Sequence, residues 1–409
     1  VSGNEVKAFI VISDTHLGLR AGRRLHFFQN TVTGRPIYVD QFLDWLLKLE
    51  NDGAAKVKIG DRPGHFREKE LVPPAELILN GDIFELWDAS DSEVEIASYS
   101  ILQRLSRLKA KKVYLVGNHD IASEKLSRVT LKSGRIDSGE YPWGTSSLEV
   151  FGDTYPAEGS GTLPAIKVGG EHYLFLHGHQ FDPIFRFNIF QITAALRDGA
   201  EGLRLYSWAV FWSWVFSILL TIVANSVGSY PLNWIGGLAV AILGILAVPR
   251  LFVSIGRPIW NGTIGRIHGM RYSGKPISDR FRSWWNRFAE RDRAPERLHV
   301  VYGHTHEIGV TTVPFSGRKF VLVNHPAWVK DLEKYQHVIQ AVFVYADAEG
   351  FEFFGWDWVG RRPFHIPKVV TRHDKEGVIN EQIAQWLSDI GWPDKLVEEW
   401  RMSAGIKRR

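Results

Sequence analysis

An α/β fold is expected from the order of apolar runs along the sequence. Short runs rich in β-branched and aromatic residues alternate with amphipathic helical patterns over the first 120 residues. Five such runs along the chain end in clusters of Asp, Asn, His and Gly. A different kind of segment follows the fourth: between Arg204 and Arg250 there are 45 residues without a charge or a histidine. That stretch cannot be an ordinary water-facing surface.

The elements follow in order. Residues 9–12 (Phe-Ile-Val-Ile) read as a buried strand, and Lys7 leads into them with too short an apolar run for a secretory segment, so the body is expected in the cytoplasm. Phe42, Leu43, Leu46 and Leu47 have helical spacing, as do Val94, Ile101, Leu105 and Leu108. Residues 77–79, 113–116, 173–176 and 299–302 read as further strands. After Thr311 the pattern changes to short strands at 320–323, 338–345 and 351–356, with a polar helical tail over 373–409.

Composition narrows the chemistry. With no cysteine among 409 residues, disulfide scaffolds, thiolate zinc sites, iron–sulfur clusters and cysteine nucleophiles are excluded. The net charge of +4 conceals an uneven distribution: residues 250–293 carry ten Lys/Arg against three acids, a local +7, which leaves the rest at −3.

The five polar clusters are Asp14-Thr-His16, Gly81-Asp82, Gly117-Asn118-His119-Asp120, His177-Gly-His179 and Gly303-His304-Thr-His306. Side chains at the carboxyl ends of neighbouring strands converge on one crevice. Asp14/His16 and His304/His306, two apart on extended segments, are expected to point to one side, and the glycines let backbone approach the site. Oxygen and imidazole ligands without thiolate suit Mn, Fe or Zn.

In that order the clusters resemble the signature of the calcineurin-like metallophosphoesterase superfamily: D-x-H, G-D, G-N-H-D/E, H and G-H-x-H. The resemblance implies a four-layer α/β/β/α sandwich and two divalent metal ions, manganese first, with iron or zinc as the other candidates. Asp14, His16 and His306 would hold one ion, and Asn118, His177 and His304 the other, with Asp82 bridging both. A metal-bridging hydroxide would attack phosphorus in line. His119 would stabilise developing charge or protonate the leaving oxygen, with Asp120 orienting it. Within the superfamily, Gly81-Asp-Ile-Phe-Glu-Leu-Trp-Asp88 looks like the second block of the UDP-2,3-diacylglucosamine diphosphatases. The chain departs from that group at His119, where Arg is typical, and at His179, where Asp is usual.

The uncharged run reads as an apolar helical hairpin inserted over 205–250, dividing a catalytic domain of residues 1–204 and 251–372. Residues 205–224 match the roughly 20 residues that cross a bilayer core, whereas the second arm, 234–248, is short for a full span. Trp208, Trp212, Trp214 and Trp234 in the hairpin, and Trp284 and Trp285 in the basic segment 281–288, are expected to contact membrane. Arg197 and Arg204 before the hairpin and Arg250, Arg257, Arg266 and Arg271 after it place the enzyme on the cytoplasmic face of the cell membrane. The expected substrate is therefore a lipid-linked or phospholipid-like phosphate or pyrophosphate. One alternative is a nuclease or nucleotide phosphodiesterase tracking phosphates with the +7 segment, although basic residues interleaved with Trp and Phe argue against nucleic acid. The other is a catalytically idle membrane adaptor on the same fold.

Overall fold

The computed structural model describes residues 5–18, 25–27, 37–62, 65–85, 91–120, 135–136, 148–156, 165–181, 207–228, 234–243, 276–288, 291–306, 308–331, 341–367, 387–394 and 397–398. The chain forms two compact units, Val1–Asp182 with Ser278–Arg409, and Pro183–Ile277.

The strands in chain order are β1 (Phe9–Ile12), β2 (Leu25–Phe27), β3 (Ala55–Arg62), β4 (His65–Leu71), β5 (Glu76–Asn80), β6 (Lys111–Leu115), β7 (Arg135–Ile136), β8 (Leu148–Phe151), β9 (Ile166–Val168), β10 (Glu171–Phe175), β11 (Arg297–Tyr302), β12 (Gly309–Phe315), β13 (Arg318–Asn324), β14 (Val329–Asp331), β15 (Val342–Asp347), β16 (Gly350–Asp357) and β17 (Arg362–Ile366). The larger sheet runs β17-β16-β15-β1-β5-β6-β8-β7 and the smaller β12-β13-β11-β10-β9. In the first, β1, β5, β6 and β8 are parallel. In the second, β10, β11 and β13 are parallel. Parallel neighbours end at the same sheet edge, so each sheet delivers its polar clusters to one rim.

Alternation along β1 builds two cores. Phe9 and Val11 face the smaller sheet, packing with Ile78, Val113 and Leu115 against Tyr173, Phe175, Val301 and Val323. Ile10 and Ile12 face the other way, toward two helices. These are α1 (Ile37–Asp52) and α2 (Asp91–Arg107). Helical spacing sets their buried stripes: Phe42, Leu43, Leu46 and Leu49 on α1, and Val94, Ala97, Ile101 and Leu105 on α2. Arg104 of α2 also forms a two-pronged ion pair with Asp44 of α1, at 2.7 and 3.1 Å.

The outer face of the smaller sheet is covered by a further helix, Ile277–Trp285, giving the helix–sheet–sheet–helix layering. Phe281 and Trp285 lie 4.9 and 4.6 Å from Phe320 of β13 by ring centroid. This overturns the expected membrane contact of Trp284 and Trp285, which are only 9 % and 1 % exposed. The segment's helical period, not its composition, decides: Phe281, Trp284, Trp285 and Phe288 fall on one stripe and fill a core layer. The described part of the C-terminal tail is likewise in the core, where Leu387, Ile390 and Trp392 pack between the sheets and Trp392 Nε1 donates to the carbonyl of His365 at 2.7 Å.

In the second unit, helix Ser207–Ser226 and the helical residues 234–243 are described. Trp214 Nε1 donates to the Val240 carbonyl at 3.1 Å. Gly236 sits where a Cβ would come within 2.4 Å of Thr221 Oγ1, so the two segments touch closely. Among the described residues no helix is long and apolar enough to cross a membrane. The side chain of Trp208 and the flanking arginines Arg197, Arg204, Arg250, Arg257, Arg266 and Arg271 lie outside the described residues.

Candidate metal centre

Backbone hydrogen bonds join the polar clusters in pairs. Asp14 N–H donates to Gly81 O at 2.9 Å, His16 N–H to Asp82 O at 3.0 Å and Leu17 N–H to Ile83 O at 2.8 Å, which zips the first cluster to the second. Gly303 N–H donates to His177 O at 2.9 Å, joining the fifth to the fourth. Trp328 N–H donates to Asp14 O at 3.1 Å and ties the exit of β13 back to the first cluster.

The ligand candidates converge, but not by strand alternation. Residues 13–16 are not extended, and Asp14, His16, Asp82, His304 and His306 have φ of 51°, 42°, 50°, 67° and 58°. A left-handed backbone at a non-glycine residue costs about 1–3 kcal/mol and concentrates at functional sites. Here the conformation turns each loop so that its donors face the centre. The glycines permit the approach: a Cβ on Gly81 would lie 2.3 Å from His177 Nδ1, one on Gly117 2.2 Å from Asp82 N and Oδ1, and one on Gly303 2.4 Å from Asp14 Oδ2.

Three groups of donor atoms result, each within 4.8 Å: Asp14, His16 and His306; Asp82, His177 and His304; and His16, Asp82 and His119. The first two draw on both sheets; the first has the residues of one expected set, and the second has His177 and His304 of the other together with Asp82. Asn118 joins the second through Oδ1, 3.1 Å from His177 Nε2. Asp82 stands between, with Oδ2 3.2 Å from His177 Nε2 and 3.9 Å from His16 Nε2. Asp14 Oδ1 is 3.3 Å from His306 Nε2.

Charge is concentrated here under burial. Burial opposes ionisation of Asp14, yet His177 and His306 bring its carboxyl down to about 2. Asp82 is likewise held well below the usual carboxylate range, with burial overcome by His177, His119 and His16. His177 is pushed up to about 9, burial being outweighed by Asp82 and Asp14.

These residues fit divalent cations. The donors are carboxylates, imidazoles and an amide oxygen, and buried Asp14 Oδ1 and His16 Nε2 make no hydrogen bond within the protein. Asp14, His16 and His306, and Asn118, His177 and His304, with Asp82 common to both, would hold them. Divalent ions at such a centre supply Lewis-acid charge for a phosphoryl oxygen and acidify water.

Around this set the structure places residues with other tasks. Asp120 does not orient His119. Its carboxylate accepts the backbone N–H groups of Ile83, Phe84 and Gly117 at 3.3, 2.9 and 2.9 Å, stapling the second cluster to the third. Glu85 takes the place expected for Asp120: Oε2 is 2.9 Å from His16 Nδ1 and Oε1 is 3.0 Å from His119 Nδ1. Burial works against its charge, but His119 and His16 hold its carboxyl well below the usual range. Glu85 was visible only as part of the Gly81–Asp88 resemblance, since a buried acid three residues past a ligand carries no spacing signal. His325 was also missed as part of the site; it lies beneath Asp14, with Nδ1 3.3 Å from Ser13 Oγ, and Ser13 Oγ donates to Asp14 Oδ2.

The sequence profile described as calcineurin-like phosphoesterase matches residues 7–213. It takes in the first four clusters, while the fifth, His304 and His306, lies beyond it and is returned to the site by β11. A comparison with curated proteins gives no significant match. The chain belongs to the calcineurin-like phosphoesterase family and is a metal-dependent hydrolase of phosphoric esters.

Proposed function

We propose that this phosphoesterase works at a membrane, on a phosphate or pyrophosphate carried by a lipid, with two manganese ions at its centre. The substrate would resemble UDP-2,3-diacylglucosamine or a phospholipid, and the enzyme would lie on the cytoplasmic face of the cell membrane. The observation that carries this reading is the solvent-facing surface of residues 212–242. Trp212, Phe216, Leu219, Ile222, Val223, Trp234, Ile235 and Leu238 are all exposed there, Trp234 by 80 %. Soluble proteins rarely expose contiguous apolar patches of that kind.

The polar groups on the same helix are arranged for an apolar surrounding. Ser217, Thr221 and Ser226 each donate their hydroxyl to the carbonyl four residues back, at 2.8, 2.7 and 3.0 Å. None of these three hydroxyl protons is left for a medium that cannot accept it. The two segments in close contact support a hairpin that dips into one leaflet and returns, for which neither arm needs to span the bilayer.

Flotation with phospholipid vesicles tests the reading together with a substrate panel. The panel contains UDP-diacylglucosamine, other lipid pyrophosphates, phospholipid monoesters, soluble nucleotides and single-stranded DNA. The chain should float with vesicles, Phe216→Ser with Trp234→Ser should abolish flotation, and lipid-borne substrates should be preferred. Cleavage of DNA at the highest rate, indifferent to those substitutions, would instead establish a nuclease.

A further inference from the structure

We infer that His325 is a positioning residue that acts through Ser13 to hold Asp14 with Oδ1 turned to the metal centre. The inference rests on the reading of Asp14 as a metal ligand and extends it to a buried histidine outside the ligand set.

The two oxygens of Asp14 have different surroundings. Oδ2 accepts the Ser13 hydroxyl and the backbone N–H of His304, the latter at 3.2 Å. Oδ1 is buried without a hydrogen bond and lies 3.3 Å from His306 Nε2. A carboxylate with one oxygen occupied by protein donors offers the other to a cation. The Ser13 proton is therefore one of the two donors that turn Asp14 this way.

A hydroxyl has one proton to give. Ser13 Oγ commits it to Asp14, so it can only accept from His325 Nδ1, 3.3 Å away, and that nitrogen must carry a hydrogen. Across the ring, Asn80 Nδ2 stands 3.4 Å from Nε2, an amide donor facing a nitrogen that then accepts. Donation runs in one direction, from Asn80 to His325 to Ser13 to Asp14, and selects the neutral ring with Nδ1–H. Asn80 serves the other expected ligand set as well. Its backbone carbonyl accepts Nδ1–H of His177 at 2.9 Å, which leaves His177 Nε2 for a cation.

Both sheets hold this relay in place. His325 follows β13, is fully buried, and donates its backbone N–H at 3.0 Å to the carbonyl of Tyr302, where β11 ends. Ser13 follows β1, and Asn80 ends β5, in the larger sheet.

His325→Phe keeps the bulk of the ring and removes both nitrogens, whereas Ser13→Ala removes the proton given to Asp14. Calorimetric titration of the full chain should show the zinc dissociation constant raised about 10–100-fold in Ser13→Ala, and by up to that factor in His325→Phe. Because His325 acts through Ser13, the double variant should bind as Ser13→Ala does, whereas independent packing effects would multiply. Histidine-selective 15N NMR of the metal-free wild-type chain, with His325 assigned by its loss in the variant, should show Nδ1–H and a bare Nε2. Unchanged zinc affinity in His325→Phe, single losses that multiply in the double variant, or a His325 ring protonated at Nε2 would overturn the inference. Should the phenylalanine variant not fold, the wild-type ring resonances decide alone by the same criterion, with His325→Gln used for the assignment. A wild-type chain that binds no zinc would instead refute the metal-centre reading, which distinguishes the two failures.

Discussion

Asp82 Oδ1 accepts the backbone N–H of His119 at 2.8 Å. The other oxygen of that carboxylate lies between His177 and His16, so one side chain sets both the charge at the middle of the site and the position of the loop that carries Asn118 and His119. The Asp120 carboxylate makes the reciprocal connection, reaching from the third cluster to the backbone of the second. The two loops are interlocked, and glycine is required where they cross.

Gly117→Ala should break that crossing. A methyl group there would lie 2.2 Å from the Asp82 backbone nitrogen, which cannot move without shifting the ligand itself. Overpacking of this kind costs about 1–3 kcal/mol. Thermal melting and metal analysis should show lower stability together with lost metal. Gly152→Ala, where a Cβ meets nothing within 4 Å, should stay within about 0.5 kcal/mol of the parent and keep its metal.

His119→Ala should lower turnover by about 10²–10⁴-fold, the usual contribution of a positioned acid or base. Metal content should be spared, because both expected ligand sets are complete without it. The deficit should be larger for alkyl phosphate esters than for a nitrophenyl ester, whose leaving group needs no proton. An equal deficit for both would remove His119 from the protonation step.

Asp120→Asn should act through stability. The amide can still accept, but its NH2 meets backbone N–H groups that now lack an acceptor, at about 1–3 kcal/mol for a buried unsatisfied donor. Denaturant unfolding should show that loss. The dependence of rate on leaving group should match the wild type, since Glu85 and not Asp120 contacts the His119 ring.

The main frame of the fold was legible because each strand that reaches the site is a short apolar run followed at once by polar residues. The five runs became β1, β5, β6, β10 and β11 with shifts of a residue or two at their ends. The β3–β4 ribbon was not legible, because His65–Leu71 is mostly charged and exposed and offers no apolar alternation. At the site, residue types and order pointed to the candidate ligands, which the fold brings together, whereas the left-handed conformations of Asp14 and His304 left no trace in composition. Glu85 and Asp120 could not be given their roles from sequence, since one lies three residues past the second cluster and the other within the third, and only the fold decides which carboxylate meets which donor. Trp284 and Trp285 show the opposite failure: a basic aromatic composition suggested a surface, and the helical stripe made them core.

Far from the metal centre, Glu76 predicts a pH effect on stability. Burial raises its carboxyl above the ordinary value of 4.5, against the opposing influence of Lys111 and of the Tyr155 hydroxyl, which donates to both Glu76 oxygens at 2.9 Å. A carboxyl with a raised folded pKa contributes stability that is fully present below its unfolded value and lost as pH rises through the folded one. Glu76→Gln mimics the protonated group, so its urea midpoint should gain on the wild type between pH 4.5 and 7.5. A difference that does not change over that interval would contradict the assignment.

The most direct test is metal stoichiometry measured against hydrolysis in the purified chain. Two equivalents of divalent metal, hydrolysis of an aryl phosphodiester, loss of activity on chelation and its return on adding Mn²⁺ are the predicted results. Fewer than one equivalent with no hydrolysis in Mn²⁺, Fe²⁺ or Zn²⁺ would contradict the two-metal phosphoesterase centre and leave an idle scaffold in its place.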